Sequence, residues 1–407
     1  MARENTVPMP SRSANRRVQK PAKGLRKWFN VSGSIDTQFL VLLIIILIVG
    51  LATLYSASHV YAFNYTEDGD SFFYIRKQLI WACGGLAAML IASTIDYHRW
   101  HKWAWIIWFG SLVFLVLALV LPSETGIKRW VSLGPLSFQP SEVAKFAIVV
   151  LFAHLISLNH KRMKSFVTGF IPLMLLLGVT CGLVVLEPHL SGTILIAALG
   201  VAMMWVGGVR SGYIVAAMGL AAVVVVVMVF VLGYEKDRMD VWFHPLESFA
   251  NEITFDDGKS GRDHAWQTIQ SLYAIGSGGL LGQGPGNSRQ KHLFLPEPQN
   301  DFIFSIFCEE MGFVGAVIVL LLFALLVWRG IKIALKAPDK FGFMLAFGLS
   351  IQIGIQVFLN VGVVSNLLPN TGISLPFFSY GGTSIVMLMA QMGVVLSVSR
   401  QARMEKV

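Results

Sequence analysis

Charge is what this sequence has least of. Of 407 residues only 14% are Asp, Glu, Lys or Arg, where a soluble domain needs about a quarter to cover its surface. With 55% apolar residues and a mean hydropathy of +0.64, the chain is too apolar for a water-soluble, disordered or collagen-like protein. Cysteine is nearly absent as well. Cys83, Cys181 and Cys308 all fall inside apolar runs, which argues against a disulfide scaffold and reads them as small core residues. No His, Cys or Asp cluster has zinc spacing, and there is no G-x-S-x-G elbow or nucleophile–base pair. The net charge is +9, but no basic, aromatic-interleaved soluble domain carries it, so no nucleic-acid partner is expected. No internal repeat is visible.

What the sequence does have is long apolar runs. A spanning helix needs about 20 mostly apolar residues. Ten runs qualify: 37–57, 78–95, 103–121, 142–158, 166–186, 190–208, 213–233, 302–328, 342–362 and 376–398. Helix-length runs in lipid predict an all-α polytopic membrane protein with ten transmembrane helices. Residues 1–36 form a basic tail with eight Lys/Arg and no apolar period, and they read as disordered. The first apolar run comes too late for a cleaved signal peptide. Residues 37–400 then make one transmembrane domain, and 401–407 a second short tail. With the N-terminus inside, the cytoplasmic segments hold 21 Lys/Arg and the opposite side 10. That bias puts both termini in the cytoplasm. It also leaves one large extracytoplasmic loop, 234–301, between helices 7 and 8, and long loops are usually functional.

Ionisable residues at the mouth of a membrane bundle mark sites by default. Three polar clusters fall on the predicted outer face. The first is Lys128-Arg129-Trp130 followed by Gln139-Pro140-Ser141-Glu142 and Lys145. Glu142 and Lys145 share a helical face. Cations beside a helix N-terminus suit a pyrophosphate, although Arg129 and Trp130 also suit plain interfacial anchoring. The second runs from Gly282 through Lys291 and His292 to Asp301, with Glu309 and Glu310 two turns further. Its glycines lack the strand and lysine of a phosphate loop. Asp301 reads either as the N-cap of helix 8 or as a general base. Of Glu309 and Glu310, one is expected to face the bundle interior. The third cluster, Asn370 to Ser384, is rich in small polar residues, for which close helix packing is the default.

In order and spacing these stretches resemble the SEDS family (shape, elongation, division and sporulation), which includes FtsW, RodA and SpoVE. The carriers are Lys128-Arg129-Trp130, Gln139-Pro140-Ser141-Glu142 with Lys145, and Glu187-Pro188-His189-Leu190-Ser191-Gly192-Thr193. Further along are Gly286-Asn287-Ser288-Arg289-Gln290-Lys291, Leu295-Pro296-Glu297 with Asp301-Phe302-Ile303-Phe304, and Leu375 to Gly382. They span about residues 37–400. The Gly286–Lys291 stretch and the basic tail are more similar to the FtsW/SpoVE branch than to RodA.

The resemblance implies an inverting peptidoglycan glycosyltransferase in the bacterial cytoplasmic membrane. It would polymerise lipid II at the outer face during septal or spore-wall synthesis. It implies Asp301 as the catalytic residue, and as partners a class B penicillin-binding protein and other divisome or spore-wall proteins. Lys128, Arg129, Trp130, Gln139, Glu142, Lys145 and Lys291 are the expected substrate-binding residues. No cofactor signature is present; a divalent cation (Mg or Mn) bridging Asp301 or Glu142 to pyrophosphate is admissible. Two features depart from the family pattern. Gln299-Asn300 stand where many relatives have His-Thr, and the loop carries extra acid-rich residues around 250–263. The alternatives are a lipid II flippase and a non-catalytic division scaffold. Polar groups gathered at one face, not at the midplane, favour interfacial catalysis over transport.

Overall fold

The computed structural model describes residues 33–66, 68–121, 130–133, 136–187, 189–227, 236–250 and 261–402. The basic tail up to residue 32, most of the acid-rich 250–263 stretch, and Lys128 and Arg129 lie outside the described residues. Each of the ten apolar runs contains a helix among the described residues. These are α1 (Thr37–Tyr65), α2 (Phe73–Thr94), α3 (His98–Val120), α4 (Pro140–Asn159), α5 (Ile171–Leu186), α6 (Leu190–Val206) and α7 (Ser211–Val226). After the large loop come α11 (Ile303–Leu335), α12 (Lys340–Val364) and α13 (Gly382–Ala402). Eight of them are long and apolar enough to cross a membrane, and α6 and α7 are shorter apolar helices. The chain is a multi-pass helical membrane protein. Within the large loop lie α8 (Lys236–Phe243), α9 (Pro245–Ala250) and α10 (Gly261–Ser277).

Two local differences from the expected pattern matter. A two-stranded antiparallel hairpin, β1 (Val131–Leu133) and β2 (Leu136–Phe138), precedes α4, with Val131 opposite Phe138. The last helix starts at Gly382 and not near 376. There Phe377 takes a left-handed backbone, and Leu375 N donates to Ser379 Oγ at 2.8 Å, so 376–381 forms a folded entry segment.

α4, α12 and α13 are the most buried spans. They form the centre of the bundle, and many of the outer helices leave apolar faces exposed, as lipid contact requires. The bundle end opposite the start of α4 is latched by carboxylates. Asp36 caps α1 through Phe39 N (3.0 Å) and takes a bidentate Arg329 at 2.9 and 2.8 Å. His98 bridges Asp96 and Asp339 at 2.7 and 2.8 Å. Gln401 near the end of α13 donates to Asp96 at 2.8 Å.

α11 is broken nine residues after its start, about two and a half turns in. Gly312 sits at φ 66°, ψ −170° inside it, a region open in practice only to glycine. The break frees backbone groups that the loop then satisfies. Gln283 N and Gly284 N donate to the carbonyls of Glu309 and Glu310 at 3.0 Å each. Phe313 N and Val314 N donate to those of Gly279 and Leu280 at 2.9 and 3.1 Å. Loop and helix are thereby stitched together by main-chain bonds.

Candidate active site

The start of α4 builds one wall of a cavity of about 670 Å³. Pro140 occupies the first helical turn, where its missing N–H is not needed. One turn further, Lys145 Nζ donates to Glu142 Oε1 at 2.7 Å and to Gln356 Oε1 on α12 at 3.3 Å. Glu142 and Lys145 are 6% and 4% exposed. A buried charge pair of this kind persists only with good geometry and further hydrogen bonds, and Gln356 provides one. Among the described residues Glu142 Oε2 and Ser141 Oγ have no hydrogen-bond partner, and both residues line the cavity. Gln139 lines it too, its amide 3.4 Å from the His189 ring. Trp130 stands half-exposed at the rim.

Asp301 lines the same cavity as Glu142 and Lys145. It is not the N-cap of α11. That position belongs to Phe302. Two features hold Asp301. Asn360 on α12 donates to its backbone carbonyl at 2.8 Å and to that of Ile373 at 2.6 Å. Gly372, at φ 68°, lets the 370–375 segment approach closely. A Cβ there would come within 3.0 Å of Asp301 Oδ2. Gln356, one turn before Asn360, donates to Ser374 O at 2.9 Å. One face of α12 therefore ties the Lys145 side of the cavity to the Asp301 side.

The far wall comes from α2 and the entry to α13. Lys77, Trp81 and Tyr380 line it. Buried Gln78 clamps the entry segment, donating to Ser379 O at 3.3 Å and accepting from Gly381 N at 3.2 Å. Burial raises the pKa of the Tyr380 phenol, which keeps it a neutral donor.

Of the residues singled out in sequence, Trp130, Gln139, Glu142, Lys145 and Asp301 meet on this cavity. Lys128 and Arg129 lie outside the described residues. Lys291 does not line the cavity. Its ammonium is buried against Glu310 (3.0 Å), Ser56 Oγ (3.2 Å) and the Gly286 carbonyl. Glu309 is buried as well, accepting from Ser288 Oγ, Arg289 N and Gln290 N. Both glutamates face inward, and both anchor the loop. Sequence reading missed Lys77, Gln78, His189, Gln356 and Asn360 as site components. A signal existed for two of them: Gln352, Gln356 and Asn360 recur every four residues on an otherwise apolar helix.

Fold and site define a multi-pass membrane protein with a charged, partly buried cavity at one end of its bundle. Residues 36–404 match the family of cell cycle proteins that joins FtsW, RodA and SpoVE, and the chain belongs to that family. It is 40% identical to stage V sporulation protein E of Bacillus subtilis strain 168 over 374 residues, which cover 90% of this chain and 98% of that one. It is 37% identical to the probable peptidoglycan glycosyltransferase FtsW of Geobacter sp. strain M18, covering 90% and 97%. Among solved structures, the fold is similar to a chain from a peptidoglycan synthase complex that coordinates polymerization and crosslinking. The TM-score is 0.74 at 25% identity, covering 91% of this chain and 99% of that one. The rod shape determining protein RodA of Thermus thermophilus gives a TM-score of 0.65 at 26% identity, covering 91% and 98%.

Proposed function

We propose that this chain is a peptidoglycan glycosyltransferase that polymerises lipid II into glycan strands. The observation that carries this reading is the meeting of Asp301 with the buried Glu142–Lys145 pair on one cavity at one end of the bundle. The relatives named as probable peptidoglycan glycosyltransferases support it. In the topology proposed, all ten apolar helices cross the bacterial cytoplasmic membrane and both termini are cytoplasmic. The large loop and the cavity then face outward, where the disaccharide-peptide head of the substrate resides.

The reaction is an inverting glycosyl transfer. The 4-hydroxyl of the acceptor sugar attacks the anomeric carbon of the donor, and polyprenyl pyrophosphate leaves. Asp301 accepts the hydroxyl proton as general base, a contribution of about 10²–10⁴ in rate. Positive charge must meet the leaving pyrophosphate. Lys145 supplies it, with Lys128 and Arg129 from the preceding loop. Glu142 orients Lys145, while Gln139 and Trp130 contact the substrate at the rim. Lys291, engaged with Glu310, holds the loop instead of the pyrophosphate. Asp301 and Glu142 are the carboxylates on the cavity wall, and among the described residues no three His, Cys, Asp or Glu side chains gather as a metal site. A Mg or Mn ion would take its other ligands from pyrophosphate and water. No step here passes through it, and polymerisation in excess chelator tests it.

A class B penicillin-binding protein is the proposed partner, alongside other division or spore-wall proteins. The resemblance to a chain of a synthase complex supports that assignment. The test is lipid II polymerisation in liposomes, with the cognate transpeptidase present and its crosslinking site inactivated. Wild type should make long strands and Asp301→Asn none, with unchanged melting. Equal polymerisation by both would remove Asp301 from the chemistry. No strands from either would favour flipping or scaffolding.

A further inference from the structure

A row of aromatic rings leaves the cavity along the loop-side ends of α1 and α2. Tyr380 lines the cavity wall. Its ring meets Tyr74 edge-on, with centroids 4.9 Å apart. Tyr74 lies 6.1 Å from Tyr61, and Tyr61 stacks on Tyr65 at 4.4 Å. Tyr380, Tyr74 and Tyr61 are half-buried, whereas Tyr65 is 66% exposed. Four rings from three segments thus form a continuous path from the cavity to the surface.

Tyrosines at a membrane boundary ordinarily serve as an interfacial belt, facing lipid one by one. This row is built differently. Its rings contact one another in sequence, edge-on, tilted and stacked, and the segment carrying Asp301 is tied into it. The Gln299 carbonyl accepts from Tyr380 N at 2.9 Å. Asp301 follows two residues later. The inner end of the row is therefore fixed to the candidate base.

We infer that this row is a saccharide subsite that holds the growing glycan strand as it leaves the cavity. The inference rests on the glycosyltransferase reading above. Tyrosine combines an apolar ring with a polar tip. The ring packs on the C–H face of a sugar, and the hydroxyl pairs with sugar hydroxyl and N-acetyl groups. The ring-to-ring steps are of the size of one sugar residue in a linked chain. A polymerase that grips its product away from the reacting centre adds many units before release. Without that grip each transfer competes with dissociation.

The test is the strand-length distribution from lipid II, compared at matched substrate consumption with the transpeptidase partner present. Tyr65→Ala alters an exposed side chain, and the melting temperature of Tyr61→Ala checks its fold. Both variants should shorten the mean strand several-fold, while Tyr65→Trp keeps it long. Phe63→Ala, at the same helix end but outside the row and 61% exposed, should match wild type. Wild-type lengths in both alanine variants would overturn the subsite, as would equal shortening by Phe63→Ala. If wild type with its partner makes no polymer at all, the glycosyltransferase reading fails and the subsite falls with it.

Discussion

Asn360 and Asp301 are joined through the aspartate's backbone, not its carboxylate: the Asn360 amide donates to the Asp301 carbonyl at 2.8 Å and to Ile373 O at 2.6 Å. The bond fixes where the Asp301 side chain starts. Asn360→Ala would strip a donor from two carbonyls. Leaving buried acceptors unpaired costs about 1–3 kcal/mol, so the melting temperature should drop. Polymerisation should fall by a larger factor than that stability loss explains, chiefly in kcat, because the base is misplaced and not removed. A variant that melts lower but turns over normally would show that Asn360 only supports the fold.

The Glu142–Lys145 pair separates stability from catalysis. Truncating Lys145 to alanine leaves Glu142 buried and uncompensated. Breaking a buried pair in this way costs about 3–5 kcal/mol. The double variant Glu142→Gln/Lys145→Met removes both charges at similar volume. It should regain most of the melting temperature and none of the polymerising activity. Recovery of activity together with stability would make the pair structural and move the pyrophosphate charge elsewhere.

These two sites also mark what the sequence disclosed. The apolar runs marked where ten helices form, eight of them long enough to cross a membrane, because burial in lipid requires long uninterrupted stretches, whereas α8, α9 and α10 of the large loop carried no such signal. Helix ends were less legible. α3 starts at His98, before the apolar run does, because its polar first turn is held by the Asp96 and Asp339 contacts of His98. Asp301, Glu142 and Lys145 stood out as charges in an apolar setting. Gln356 and Asn360 did not, since neutral amides inside a helix become site residues only once the neighbouring chain shows which carbonyls they hold. Lys291 was grouped with Asp301 by proximity in sequence. The break in α11 turns it toward Glu310 instead, and that break depends on pairing between residues some thirty positions apart.

That break gives a third prediction. Gly312 has a backbone conformation reserved for glycine, and a Cβ there would overlap the Gly282 amide and the Leu280 carbonyl. Strain of this kind costs about 1–3 kcal/mol, before any loss of the four stitching bonds. Gly312→Ala should therefore release the 278–284 segment. Limited proteolysis should then cut the large loop in the variant at protease levels that leave wild type intact, and strand synthesis should fall because Asp301 rides on that loop. Unchanged protection would mean that α11 can close as a continuous helix without disturbing the loop.

The carboxylates at the opposite end predict the response to acid. Burial disfavours ionised Asp96, but donation from Gln401 and His98 outweighs it and holds its pKa below the ordinary value of 3.8. Asp339 is buried in the same way, and His98, Gly342 N and Tyr97 outweigh that burial and hold it low too. A lowered folded-state pKa means stability that is present above about pH 4 and lost as pH falls through the folded value. Both groups are partly exposed, so the effect is modest and screened by salt. The melting temperature in detergent should stay level down to about pH 4 and then decline. Asp339→Asn retains an N-cap for α12 and removes one of the titrating groups. It should lower the plateau slightly and flatten the decline, whereas an acid limb as steep as wild type would assign acid sensitivity to other carboxylates.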